Sequence, residues 1–141
     1  SSSSEVNEQS AKNYRNRADM VEREGVESLT SGLKTFVPAF AGHEDMRNIP
    51  SSTAEAYAGF NRAMANLHKD PITPNLLKIT CPTLVLGAGK DATAGAAGSV
   101  IINRNISDSK LVIFPDSGHN IGQDKPDEYR AAILEFLATV K

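Results

Sequence analysis

Two residues with opposite acid–base character stand at matching places after two short apolar runs. Asp91 closes the segment Leu86-Gly87-Ala88-Gly89-Lys90-Asp91, and His119 closes Phe114-Pro115-Asp116-Ser117-Gly118-His119. A carboxylate beside an imidazole accepts the Nδ1 proton, fixes the tautomer and leaves Nε2 as a general base. Such a pair serves a nucleophile, most often a serine. Asp116 is the alternative acid, although its turn position suits it better to binding backbone donors. A rival chemistry shares the first segment. Gly87-Ala88-Gly89-Lys90-Asp91-Ala92 fits a relaxed G-x-G-x-x-A dinucleotide fingerprint, with Asp116 near the place of a ribose-binding acid. Against that reading, Asp91 would put a carboxylate in the phosphate loop, and nothing in it accounts for Ser117-Gly118-His119. A Walker A loop fails, because Asp91 follows Lys90 where Ser or Thr is required.

The other reactive side chains carry less. Cys81 is the single cysteine, so an intramolecular disulfide framework and a cysteine zinc cluster are excluded. Beside Pro82, it reads as a small buried residue rather than a nucleophile. His43 and His68 have no histidine four residues away and read as surface side chains; no metal site is expected. Asp124 and Asp127 are placed to cap the last helix.

The elements that must position Asp91 and His119 follow from periodicity. Residues 83–86 and 111–114 are continuous apolar runs, closed by Gly87 and Pro115, and suit strands buried on both faces. A helix is expected between them from Gly95, with Ala97, Val100 and Ile101 on one side. Strand, helix and strand over roughly 30 residues make one βαβ unit with parallel strands. Both candidate residues then leave the carboxyl ends of parallel strands, where open α/β sheets collect ligands. The last helix, with Pro126 in its first turn, carries Tyr129, Ala132, Ile133, Phe136 and Leu137 at helical spacing.

Upstream, residues 1–10 read as a flexible tail or linker and 11–75 as a helical region, followed by an α/β region over 76–141. Within the helical region, Ala18, Val21, Leu29 and Leu33 mark a first helix that Pro38 stops, and residues 41–52 read as a loop. Thr53 caps a second helix, whose expected apolar stripe is Tyr57, Phe60, Met64 and Leu67. Two strands are too few for a covered parallel sheet. The missing strands are expected from an upstream half of the same fold, in the same parent chain or in a second chain.

Composition narrows the function classes. The 141 residues carry 15 basic and 17 acidic side chains, a net charge of -2, which offers no grip on a phosphate backbone. Nucleic acid is therefore not an expected partner. No apolar run approaches the ~18–20 residues of a membrane span, and no secretory signal is visible, so no membrane partner and a cytoplasmic location are expected.

Taken together, Ile79-Thr80-Cys81-Pro82-Thr83-Leu84-Val85-Leu86-Gly87, then Asp91, then Ser117-Gly118-His119, with Asp124-Lys125-Pro126 before the final helix, resembles the α/β-hydrolase superfamily. In that family a PTLVL-G-x-x-D strand and acid lead to a GH-x4-[ED]-x-P histidine loop. The resemblance spans about residues 72–141. It implies an α/β fold, the carboxy-terminal part of an α/β-hydrolase: a helical lid plus the last βαβα of a mostly parallel sheet. It further implies Asp91 as triad acid and His119 as triad base, in the chain order Ser…Asp…His. Residues 11–75 then correspond to the lid, and Phe40, Phe60 and Met64 to substrate-binding candidates, with packing as their alternative role. The narrower likeness is to 3-oxoadipate enol-lactonase-like esterases and perhydrolases. The implied activity is serine-dependent hydrolysis of a small carboxylic ester or lactone, without cofactor. A G-x-S-x-G nucleophile elbow is required, and this sequence contains none. The chain is thus expected to supply the acid and the histidine but not the nucleophile. A hydrolase-like fold used only for binding is the remaining alternative.

Overall fold

The computed structural model of the chain describes residues 3–26, 28, 53–92 and 95–140. They fall into two compact units, Val6–Asp70 and a second comprising Ser1–Glu5 with Pro71–Lys141. Phe40, His43, Leu29, Leu33 and the 41–52 segment lie outside the described residues.

The first unit contains helices α1 (Glu8–Glu24) and α2 (Ala54–Asn66), which pack on each other. Asn7 Oδ1 accepts from Ser10 N at 2.8 Å and Thr53 Oγ1 from Ala56 N at 3.1 Å. Each side chain satisfies one of the amides that a helix start leaves unpaired. The Asn7 cap starts α1 three residues before the expected position, and the helix ends at Gly25. The buried face differs from the one expected. Ala11, Ala18 and Val21 of α1 are buried, as are Ala58, Asn61 and Ala65 of α2. By contrast, Phe60 is 61% exposed and Tyr57, Met64 and Leu67 are half-buried. Small residues let two helix backbones approach closely, and that proximity outweighs the larger apolar area of the alternative stripe. Arg62 bridges Asp19 at 3.1 Å and Glu22 at 2.8 Å, an exposed pairing worth at most about 1 kcal/mol.

In the second unit, a 3-10 turn (Thr73–Lys78) leads to strand β1 (Thr83–Ala88), helix α3 (Gly95–Asn105), strand β2 (Ser109–Phe114), the one-turn helix α4 (Ile121–Asp124) and helix α5 (Pro126–Thr139). Strands β1 and β2 pair in parallel, from Thr83 opposite Ser109 to Ala88 opposite Phe114. Helix α3 packs against both. At the crossing, Ser99 is buried and its Oγ donates to the Leu86 carbonyl at 3.3 Å. Gly87 leaves room there, since a Cβ would lie 2.6 Å from Ile113 Cδ1 and 2.9 Å from Ser99 Oγ and would oblige those side chains to move.

The core at the carboxyl end of the strands is Ala88, Phe114 and Ile121, with Leu86, Val112, Tyr129 and Ala132 packed against it. Burying a side chain the size of Phe114 contributes roughly 1.5–3 kcal/mol. Helix α5 therefore docks through Tyr129 and Ala132, whereas Leu134 and Leu137 are 59% and 56% exposed. The expected flexible tail is tied down in part. Ile72 N donates to the Ser4 carbonyl at 2.9 Å, and Ser4 Oγ to Thr73 Oγ1 at 2.8 Å, while Thr73 Oγ1 donates to Glu5 Oε2 at 2.6 Å. Among the described residues, no helix is long and apolar enough to cross a membrane.

Candidate active site

The two loops that follow β1 and β2 lie side by side. Two hydrogen bonds tie them together just past the strands, Gly89 N donating to the Phe114 carbonyl at 2.8 Å and Lys90 N to the Ser117 carbonyl at 2.9 Å. The approach is close enough to demand glycine. A Cβ on Gly89 would run into the Pro115 carbonyl oxygen and lie 2.7 Å from Pro115 Cα. This packing accounts for the glycine of the G-x-G-x-x-A string without a bound phosphate. The dinucleotide reading thereby loses its main residue.

Asp91 and His119 meet as the sequence suggests. His119 Nδ1 stands 3.1 Å from Asp91 Oδ2. The Asp91 side chain is fully buried, whereas that of His119 is 35% exposed. The backbone of Asp91 is anchored on both sides, its N–H on the Ala88 carbonyl at 3.5 Å and its carbonyl on Gly95 N at 3.0 Å. A buried carboxylate is costly to leave without donors, and a hydrogen bond to a charged group contributes about 1.5–3 kcal/mol. The imidazole tautomer with its proton on Nδ1 satisfies that acceptor and keeps Nε2 basic. A carboxylate and an imidazole so arranged, at the carboxyl end of two parallel strands, have the geometry that an oriented general base requires.

The competing acid goes elsewhere. Asp116 pairs with Lys90 Nζ at 2.9 Å, both side chains mostly exposed, rather than with turn amides. The Lys90 hydrogen bond, and then its charge, hold the Asp116 carboxyl below its ordinary value of 3.8.

Three other expectations are corrected. Cys81 is exposed, because it sits on the bend between the 3-10 turn and β1 rather than inside the strand. Asp127 pairs with Arg130 at 3.1 Å. Asp124 does not cap α5, whose N-cap residue Lys125 makes no side-chain capping bond. Its carboxylate turns back to the histidine loop, accepting from Gly118 N at 2.7 Å and lying 3.1 Å from Ser117 Oγ. The sequence reading misses that contact, because an aspartate just before Pro126 matches a helix cap by type. His68 is exposed as expected, its Nδ1 3.2 Å from the Val6 carbonyl.

Phe60 and Met64 lie on α2 in the first unit. Phe40 is outside the described residues. Among the described residues, no group of three or more His, Cys, Asp or Glu side chains could hold a metal ion.

No protein-family model matches the chain. Over 70 residues, 49% of the chain, it is 39% identical to the proline iminopeptidase of Saccharolobus solfataricus, covering 22% of that protein. Among solved structures it is similar to a hydrolase from Pseudomonas aeruginosa PA01, with TM-score 0.72 and 22% identity over 96% of this chain and 52% of that one. It is also similar to the enol-lactonase from Burkholderia xenovorans LB400, with TM-score 0.70 and 21% identity over 89% and 50%. The chain thus spans about half the length of these solved structures, and its match covers about a fifth of the curated relative.

Proposed function

This chain has the fold of the carboxy-terminal part of an α/β-hydrolase, and on that premise we propose that it supplies the acid and the histidine of a hydrolase acting on a carboxylic ester or lactone. The observation that carries the proposal is the 3.1 Å contact between the buried Asp91 carboxylate and His119 Nδ1. A serine hydroxyl, contributed from outside this sequence, attacks the substrate carbonyl while His119 Nε2 takes its proton. Asp91 stabilises the imidazolium so formed. The same proton then passes to the leaving alkoxide, and water repeats the cycle on the acyl-serine. A buried, immobile acid fits this duty, because it needs no reorganisation when the charge appears on the ring.

An ester or lactone substrate is in keeping with the enol-lactonase and esterases among the solved structures of similar fold.

The test joins the chain to a segment bearing a G-x-S-x-G serine and measures hydrolysis of p-nitrophenyl acetate and of a small lactone. His119→Ala and Asp91→Asn should each lower turnover by ~10³–10⁴, while Asp116→Asn leaves it nearly unchanged. Full activity in Asp91→Asn would sink the assignment.

A further inference from the structure

We infer that Asp124 is a positioning residue for His119: its carboxylate sets the backbone of the histidine loop and thereby holds the imidazole against Asp91. The inference rests on the proposed roles of Asp91 and His119 and adds a third carboxylate to them. Asp124 Oδ2 accepts the Gly118 N–H at 2.7 Å, on the residue immediately before His119. It also lies 3.1 Å from Ser117 Oγ, whose single proton is shared between Asp124 and the Gly118 carbonyl, likewise 3.1 Å away.

Ser117 is completely buried and is the junction of the site. Its N–H donates to the Phe114 carbonyl at 3.2 Å, at the end of β2, and its own carbonyl accepts from Lys90 N at 2.9 Å, next to Asp91. The position of His119 relative to Asp91 is therefore set by Ser117 and Gly118, and both are held by one oxygen of Asp124. That oxygen is itself fixed by helix α4, where Asp124 N donates to the Asn120 carbonyl at 3.0 Å. A charged acceptor at 2.7 Å from a backbone amide is a strong form of hydrogen bond. Asp124 is exposed, so its charge costs little to keep.

The test is proton NMR of the full chain at a pH where imidazole is neutral, reading the low-field resonance of the His119 Nδ1 proton. Asp124→Ala should abolish that resonance by releasing the loop, and Asp124→Asn should restore it, because an amide oxygen can still accept from Gly118 N. In the serine-complemented assembly, Asp124→Ala should lower kcat about 10²-fold with KM unchanged, the scale of a small misplacement of a catalytic group. Asp91→Ala, which leaves no side-chain acceptor, separates the two ideas. If Asp91→Ala removes the resonance and Asp124→Ala leaves it intact, the Asp124 inference falls alone. If the resonance survives Asp91→Ala, the pairing itself falls, and the inference with it. Should Asp124→Ala fail to fold, Asp124→Ser, with its shorter side chain, gives the same reading.

Discussion

Gly89→Ala tests whether the contact between the two loops holds the candidate site together. The new Cβ would sit 2.7 Å from Pro115 Cα, where ordinary contact begins at 3.4 Å, so the gap is short by about 0.7 Å. The atoms it meets belong to backbone, which cannot rotate aside as a side chain would. Either the Gly89–Phe114 hydrogen bond at 2.8 Å breaks, or the loop after β2 shifts by that amount. A shift of this size takes His119 Nδ1 beyond hydrogen-bond reach of Asp91. Overpacking of this kind costs about 1–3 kcal/mol, whereas replacing glycine gains only about 0.4–1 kcal/mol by restricting the unfolded chain. The clash wins. The melting temperature should fall, by up to roughly 10 °C for the net cost, read by circular dichroism, with loss of the His119 Nδ1 proton resonance. A variant that melts with the parent and keeps that resonance would refute the reasoning.

Gly59→Ala should do the opposite. Gly59 stands within α2 with no atom within 4 Å of an added Cβ, so alanine should stabilise by about 0.5–1 kcal/mol in a chemical denaturation curve. Acid stability should depend on two exposed ion pairs. Lys90 lowers the Asp116 carboxyl from 3.8, and Lys110, 2.6 Å from Glu135, lowers that carboxyl from 4.5. A depressed folded value gives stabilisation that is present above the unfolded value and lost as pH falls through the folded one. The melting-temperature gap between the parent and Asp116→Asn/Glu135→Gln should therefore close on acidification, and also in high salt. A gap that widens in acid would contradict the sign.

How much was legible in the sequence follows from how each element is held. Strands β1 and β2 contain short continuous apolar runs closed by glycine or proline, and their shortness and those closing residues favour strand over buried helix. The final helix announces itself by Pro126 and its spacing. The meeting of Asp91 and His119 was readable because both follow strands at comparable offsets, and parallel pairing brings such offsets together. The α1–α2 interface was not readable. Apolar area pointed to Phe60 and Met64, whereas close backbone approach selected Ala58, Asn61 and Ala65. Asp124 was equally hidden. An aspartate before Pro126 matches a helix cap by type, and only the turn of α4 directs it back to Gly118.

The hydrogen bonds between the two loops bear on when the candidate site can move. The amides of Gly89 and Lys90 are engaged by the Phe114 carbonyl at the end of β2 and by the Ser117 carbonyl in the histidine loop. Their exchange with solvent deuterium requires the two loops to part, not merely one of them to fluctuate. Asp91 is next in line after Lys90, so the acid shares the opening of that contact. Local loosening that would separate the carboxylate from its imidazole is thereby coupled to parting of the two loops, and deuterium uptake at Gly89 and Lys90 reads how often it happens.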